Sequence, residues 1–145
     1  MGHACAQSGH PLTDDEAWSR LAGAEVGRLA TVMAGEPDIV PVNFVVDGRT
    51  IVFRTAEGSK LLSLTVHPAV AFEADGWDAA GGWSVVAKGT AAEVTGSERD
   101  RLETLPLRPF VPTVKVHYIR IEVESISGRE FAFGPEPDPE FGLQA

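Results

Sequence analysis

A chain of 145 residues holds one domain of ordinary size and is too short for two separate cores. With 43% hydrophobic and 23% charged residues, 15 glycines and 10 prolines, it reads as a soluble globular protein rich in turns rather than a disordered one. A formal net charge of -9 with no Lys/Arg cluster argues against a general nucleic-acid binder, and a single cysteine, Cys5, excludes a disulfide framework or a cysteine metal site.

Residues 1–11 show no periodicity, and residues 134–145, GPEPDPEFGLQA, carry three prolines and three carboxylates without a cation, so both ends are expected to be mobile tails around one domain at 12–133. No run approaches the roughly 18 apolar residues of a membrane span, and the start lacks the order of a signal peptide, which points to the cytoplasm. Thr13 followed by Glu16 is a capping box, and Ala17, Trp18 and Leu21 give the helix it opens an apolar face that ends near Gly23.

Strand signals then dominate. Residues 27–33, 39–46 and 50–55 are rich in β-branched and aromatic side chains, and Asp47-Gly48 between the last two marks a hairpin. Ser59 opens a helical pattern through Leu61, Leu62 and Thr65 that Pro68 stops. Residues 70–75 and 83–94 read as further strands separated by a glycine- and aspartate-rich loop. Ser97, with Asp100 three residues on, is expected to cap a second helix running to Leu105 and closed by Pro106 and Pro109. Residues 114–125 alternate, with Ile119, Ile121 and Val123 on one face and Tyr118, Arg120 and Glu122 on the other, and 129–133 adds a candidate last strand. Six or seven strands with two or three short helices describe a mainly β protein, an antiparallel barrel or sandwich with helical lids.

The stretch FRTAEGSKL, residues 53–61, brackets hydroxyls and a glycine with two cations. If the strand ends near Thr55 and Ser59 caps the next helix, free N–H groups at that helix start favour an anion, and Arg54 and Lys60 reach it from two sides. The set suits a phosphate monoester. The plainer reading makes Ser59 an ordinary cap, Lys60 a solvated side chain and Arg54 a surface partner of Glu57. His3, His10, His67 and His117 lack metal-ligand spacing. Glu73 and Asp75 share a strand face, as an acid-base pair or a solvated surface, and Trp77, Trp83 and Phe44 either flank a planar ligand or pack in the core.

The order GRLATV, PVNFVVDGRTIVFRTAEGSKL, VAFEADGW, WSVVAKGTAAEV resembles the pyridoxamine 5'-phosphate oxidase-like family of FMN-binding split-barrel proteins over residues 12–133. The resemblance implies a six-stranded antiparallel split barrel that forms a homodimer with FMN in the groove between chains, acting as a flavin-dependent oxidoreductase on a small organic electron acceptor or donor. It implies Arg54, Thr55, Ser59 and Lys60 on the FMN phosphate and Pro41, Val42, Asn43 and Phe44 along the isoalloxazine. Counting five residues back from Gly89, it puts Trp83 and Ser84 on the flavin of the partner chain. The C-terminal segment has no tryptophan and only Arg129, unlike the Trp- and Arg-bearing end of true pyridoxamine phosphate oxidases, which points away from the vitamin B6 reaction. The resemblance is closer to the uncharacterised and nitroimidazole-reductase-like members. Related barrels make a deazaflavin the alternative to FMN, and a flavin-, deazaflavin- or haem-binding carrier or sensor without turnover the alternative to an enzyme.

Overall fold

The structure is a computed structural model and describes residues 9–56, 68–106 and 116–134. Along the chain these form β1 (His10–Pro11), α1 (Asp14–Ala22), β2 (Val26–Met33), β3 (Glu36–Asp47), β4 (Thr50–Ala56), β5 (Ala69–Trp77), β6 (Gly81–Val94), α2 (Gly96–Leu102) and β7 (Val116–Ala132). The sheet runs β1-β7-β4-β3-β2-β5-β6, and β6 pairs again with β7. Strands β2 to β7 therefore close into the expected antiparallel barrel, and the two-residue β1 is an addition on the end of β7. The helix expected after Ser59 lies outside the described residues.

Local signals explain most of the frame. In α1 the Thr13 hydroxyl accepts from the Glu16 N–H at 3.1 Å and the Glu16 carboxylate accepts from the Thr13 N–H at 2.8 Å, completing the capping box. The helix buries Ala17, Trp18 and Leu21 in the main core beside Leu29, Phe53 and the edge-to-face pair Phe44 and Phe72, whose ring centroids are 4.8 Å apart. The β3–β4 hairpin falls one residue later than the Asp47-Gly48 dipeptide suggests. Asp47 is already paired with Thr50, and the loop is Gly48-Arg49, with Gly48 at φ +63. The β2–β3 turn, Ala34-Gly35 at φ +52 and +78, has both central residues left-handed as a twist-matched turn requires.

The second helix differs from expectation. Thr95, not Ser97, is the N-cap residue, although its side chain makes no cap hydrogen bond, and the helix stops at Leu102 rather than Leu105. Strand β6 runs on to Val94, and Gly96 at φ +70 turns the chain straight into the helix, which moves its start ahead of Ser97. At the other end the Leu105 N–H turns back to the Leu102 carbonyl at 3.0 Å, a tightened last turn. Leu102 then joins Val52, Val94 and Tyr118 in a small second core outside the barrel, under α2.

This helix is held by charge. The Asp47 carboxylate accepts from Arg101 and, at 3.0 Å, from Arg120, which also donates to the Thr50 hydroxyl at 2.6 Å and to Glu98 at 2.8 Å. Arg101 returns to Glu98 at 2.6 Å. The network ties the hairpin, α2 and β7 together, and Arg101 first, then Arg120, holds the Asp47 carboxyl below the ordinary aspartate value against the opposing effect of burial.

The segments 114–125 and 129–133, read as two strands, are joined in one: β7 runs from Val116 to Ala132 without a break. Between Lys88 opposite Ser125 and Gly89 opposite Val123, β7 carries one unpaired residue, Glu124, as a bulge. Gly89 is required there, since a Cβ would sit 2.0 Å from the Glu122 carbonyl oxygen.

Gly89→Ala should lower stability in urea by about 2–3 kcal/mol through displacement of the bulge; an unchanged midpoint would mean that the strands part freely there. Because the folded pKa of Asp47 is depressed, its contribution is present above the unfolded value of about 3.9 and lost as pH falls through the folded one. Acid titration of stability should therefore show a steeper loss below about pH 4 in the parent than in Asp47→Asn.

Candidate functional site

Strand alternation decides which of the singled-out residues can meet a ligand. In β3, Val42 and Phe44 enter the core, while Pro41 and Asn43 face outward. The side chains of Val42 and Phe44 are thus packing residues, and only their backbone lies along the outer face. In β4, Ile51 and Phe53 point inside and Arg54 outside, where it lies opposite Tyr118 of β7 with its guanidinium 5.9 Å from the ring centroid. Thr55 is buried on the Phe53 side, opposite His117, whose Nδ1 lies 2.6 Å from Glu93. Arg54 and Thr55 are neighbours in sequence on opposite faces of their strand, so β4 alone does not bring them together. Ser59 and Lys60 lie outside the described residues.

Asn43 carries a buried acceptor at this face. Phe44 pairs with Phe53, which puts Asn43 at the level of Arg54 on the same outer face. Its Nδ2 makes one long hydrogen bond to the Glu25 carbonyl, 3.4 Å, and its Oδ1 is buried with no hydrogen-bond partner among the described residues. Leaving a buried amide oxygen unpaired costs about 1–3 kcal/mol.

Beyond Asn43 the outer face of β3, β2, β5 and β6 exposes Val26, Val32, Ile39, Pro41 and Val86, with Ile39 63% and Val32 56% accessible. In its middle Arg28, opposite both Pro41 and Glu73, donates to Glu73 at 2.7 Å and to Asp75 at 2.8 Å, and these bonds raise its pKa. Glu73 and Asp75 are therefore the two arms of an ion-paired arginine. Arg28 was missed because only the register between β2 and β5 reveals it.

Ser84 lies on this same outer face, opposite Asp75 and Arg129. Trp83 turns to the other side, partly buried against the core, with its indole over Gly76, where a Cβ would lie 2.7 Å from Nε1. Within one chain neither approaches Arg54. Arg54 faces Tyr118 and Ser84 faces Arg129, positions separated by roughly 35 Å of extended strand. Trp83 instead lines a cleft of about 890 Å³ between the loop after α1, the β5–β6 hairpin and the end of β7, together with Glu25, Trp77, Asp78, Glu130 and Phe131. Among the described residues no group of His, Cys, Asp and Glu could hold a metal ion, and no helix is long and apolar enough to cross a membrane.

Comparison with known proteins agrees with the topology. The profile of the family described as pyridoxamine 5'-phosphate oxidase matches residues 13–130. An uncharacterized protein of Mycobacterium tuberculosis is 48% identical over 95 residues, 65% of this chain and 86% of its own. The structure of the FAD binding protein from Mycobacterium smegmatis superimposes with a TM-score of 0.74 at 38% identity, covering 85% of this chain and 98% of that one. A conserved protein of unknown function from Corynebacterium diphtheriae gives a TM-score of 0.72 at 41% identity, covering 86% and 98%. The closed antiparallel barrel and the profile match together show that the chain belongs to the pyridoxamine 5'-phosphate oxidase family.

Proposed function

We propose that this protein is a cytoplasmic homodimeric flavoprotein that holds FMN against the outer face of β3 and β4 and serves a small organic electron acceptor or donor. The observation that carries the reading is the buried, unpartnered Oδ1 of Asn43 at the level of Arg54. An acceptor left in this state calls for a donor, which the imide N–H of an isoalloxazine supplies. The relative at 38% identity is named for binding FAD, which supports a flavin nucleotide in general, since FMN and FAD share the ring, the ribityl chain and the first phosphate. A deazaflavin coenzyme is the alternative to be tested beside them.

In this reading Arg54 supplies a fork of donors to the phosphate, steadied by the Tyr118 ring, which Arg99 also approaches, 5.2 Å from its centroid. Thr55 at the strand end, with Ser59 and Lys60, completes the grip. Pro41 and Asn43 meet the ring with their side chains, Val42 and Phe44 with their backbone. Trp83 and Ser84 act across the dimer, in keeping with their distance from Arg54 in one chain. The apolar residues around the Arg28 ion pairs form the partner-facing surface, large exposed hydrophobics on a sheet being the usual mark of an interface. When bound, the flavin supplies the hydride or electron transfer. The protein binds, orients and excludes water.

A second reading, a flavin carrier or sensor without turnover, is favoured by the relative being named for binding rather than for a reaction. Reduction of the flavin by a nicotinamide donor, followed by reoxidation with an organic acceptor, separates the two. Arg54→Ala combined with Lys60→Ala should weaken FMN binding tenfold or more, read as the flavin absorbance retained after dialysis; full retention sinks the phosphate assignment. Asn43→Ala should weaken FMN by about two- to tenfold while leaving the flavin-free protein no less stable, because it removes an acceptor with no partner of its own. Ile39→Lys with Val86→Lys should yield a monomer in light scattering that has also lost its flavin, and a dimer that keeps it would place the interface elsewhere.

A further inference from the structure

The geometry points to the cleft at the β5–β6 hairpin as a binding site for a small organic cation with an aromatic or alkyl body. Its volume of about 890 Å³ lies in the upper part of the roughly 300–1,000 Å³ range of small-molecule pockets. Trp77, Trp83 and Phe131 supply its aromatic surface. Trp77 stands at the rim with 74% of its surface in solvent, although it is the kind of side chain that folding normally covers. Trp83 lies on Gly76 in a position that any side chain at Gly76 would block, so its indole is held in place. Phe131, paired with Phe133 at 5.9 Å between centroids, borders the end of β7.

The charges around these rings do not cancel. Among the described residues the cations bordering the cleft are Arg20, bonded to Glu130, and His10, 3.8 Å from the same carboxylate. Asp75 is held by Arg28. That leaves Glu25, exposed and without an ion pair among the described residues, and Asp78, fixed at the hairpin tip by the N–H groups of Ala80 at 2.8 Å and Gly81 at 3.1 Å. Two carboxylates without an ion pair among the described residues, bordering a cleft with the exposed Trp77 indole at its rim, attract a cation twice, through its charge and through the ring quadrupole. The same set repels an anion, which sets this cleft apart from the phosphate grip proposed at Arg54. The cleft shares Trp83 with the cross-dimer flavin contact proposed above, so the cation is offered to the flavin-free chain.

The test uses the full flavin-free chain at low salt, titrated calorimetrically with benzyltrimethylammonium and, separately, with phenylacetate, an anion of similar body. The cation should give a saturable heat and phenylacetate none at the same concentrations, with the cation weakened by added salt. Trp77→Ala and Glu25→Gln should each reduce its affinity by about three- to fivefold. Both side chains are exposed, so melting temperatures should not move, and Ser127→Ala, away from the cleft, should bind as the parent does. Equal binding of the two probes, absence of saturation with the cation, or variants that bind like the parent would each overturn the assignment.

Discussion

Closure of the sheet by β7 is the constraint on which the rest of the molecule depends. This strand pairs with β4 through Ala56 opposite Val116 and its neighbours, with β6 from Gly81 to Val94, and with β1 near its end. A straight ladder could not serve all three. The extra residue at Glu124, accommodated by the missing side chain of Gly89, bends the strand so that its first part joins β4 and its length from Tyr118 to Ala132 joins β6. Without that bend the barrel would remain an open sheet with exposed edges.

Once the barrel is closed, alternation sorts its residues. Phe44, Phe53, Phe72, Leu29 and Ile121 fill the inside, and α1 adds Trp18 and Leu21 to the same core. The outside is divided in two. Over β4 and the adjoining part of β7 lies α2, latched by Asp47, Arg101, Arg120 and Glu98. Over β3, β2, β5 and β6 the described residues place no helix, and apolar side chains surround an ion-paired arginine. Arg54 and Asn43 lie where these two regions meet, with a rigid covered surface on one side and an open one on the other. That boundary is where the proposed flavin would lie.

The parts of this that were legible in the sequence are the local ones. The capping box at Thr13 and Glu16, the strand runs and the approximate hairpin depend on residues within a few positions of one another. The family resemblance supplied closure and strand number, which periodicity left open between a barrel and a sandwich. Errors arose where a neighbour outside the local window decided the outcome. Ser97 looked like a cap because Gly96 could not be known to adopt a left-handed φ, and the two segments of β7 looked separate because Gly128 and its polar neighbours read as a break. The site was less legible still. Arg54 and Thr55 face opposite sides of β4, so a shared ligand meets both only past the strand end, and Arg28 and the cleft at Trp77 exist only through register between distant strands.

The most direct test of the account is thermal melting of the flavin-free protein with FMN, FAD and a deazaflavin added in turn. A ligand that binds only the folded state adds about 2.7 kcal/mol of stability at a hundredfold excess over its dissociation constant. FMN should raise the melting temperature clearly, and the Arg54 and Lys60 double variant should lose that rise. A rise with the deazaflavin alone would keep the groove and change its occupant. No shift with any of the three would contradict the central claim and leave FRTAEGSKL as a strand end followed by an ordinary helix cap.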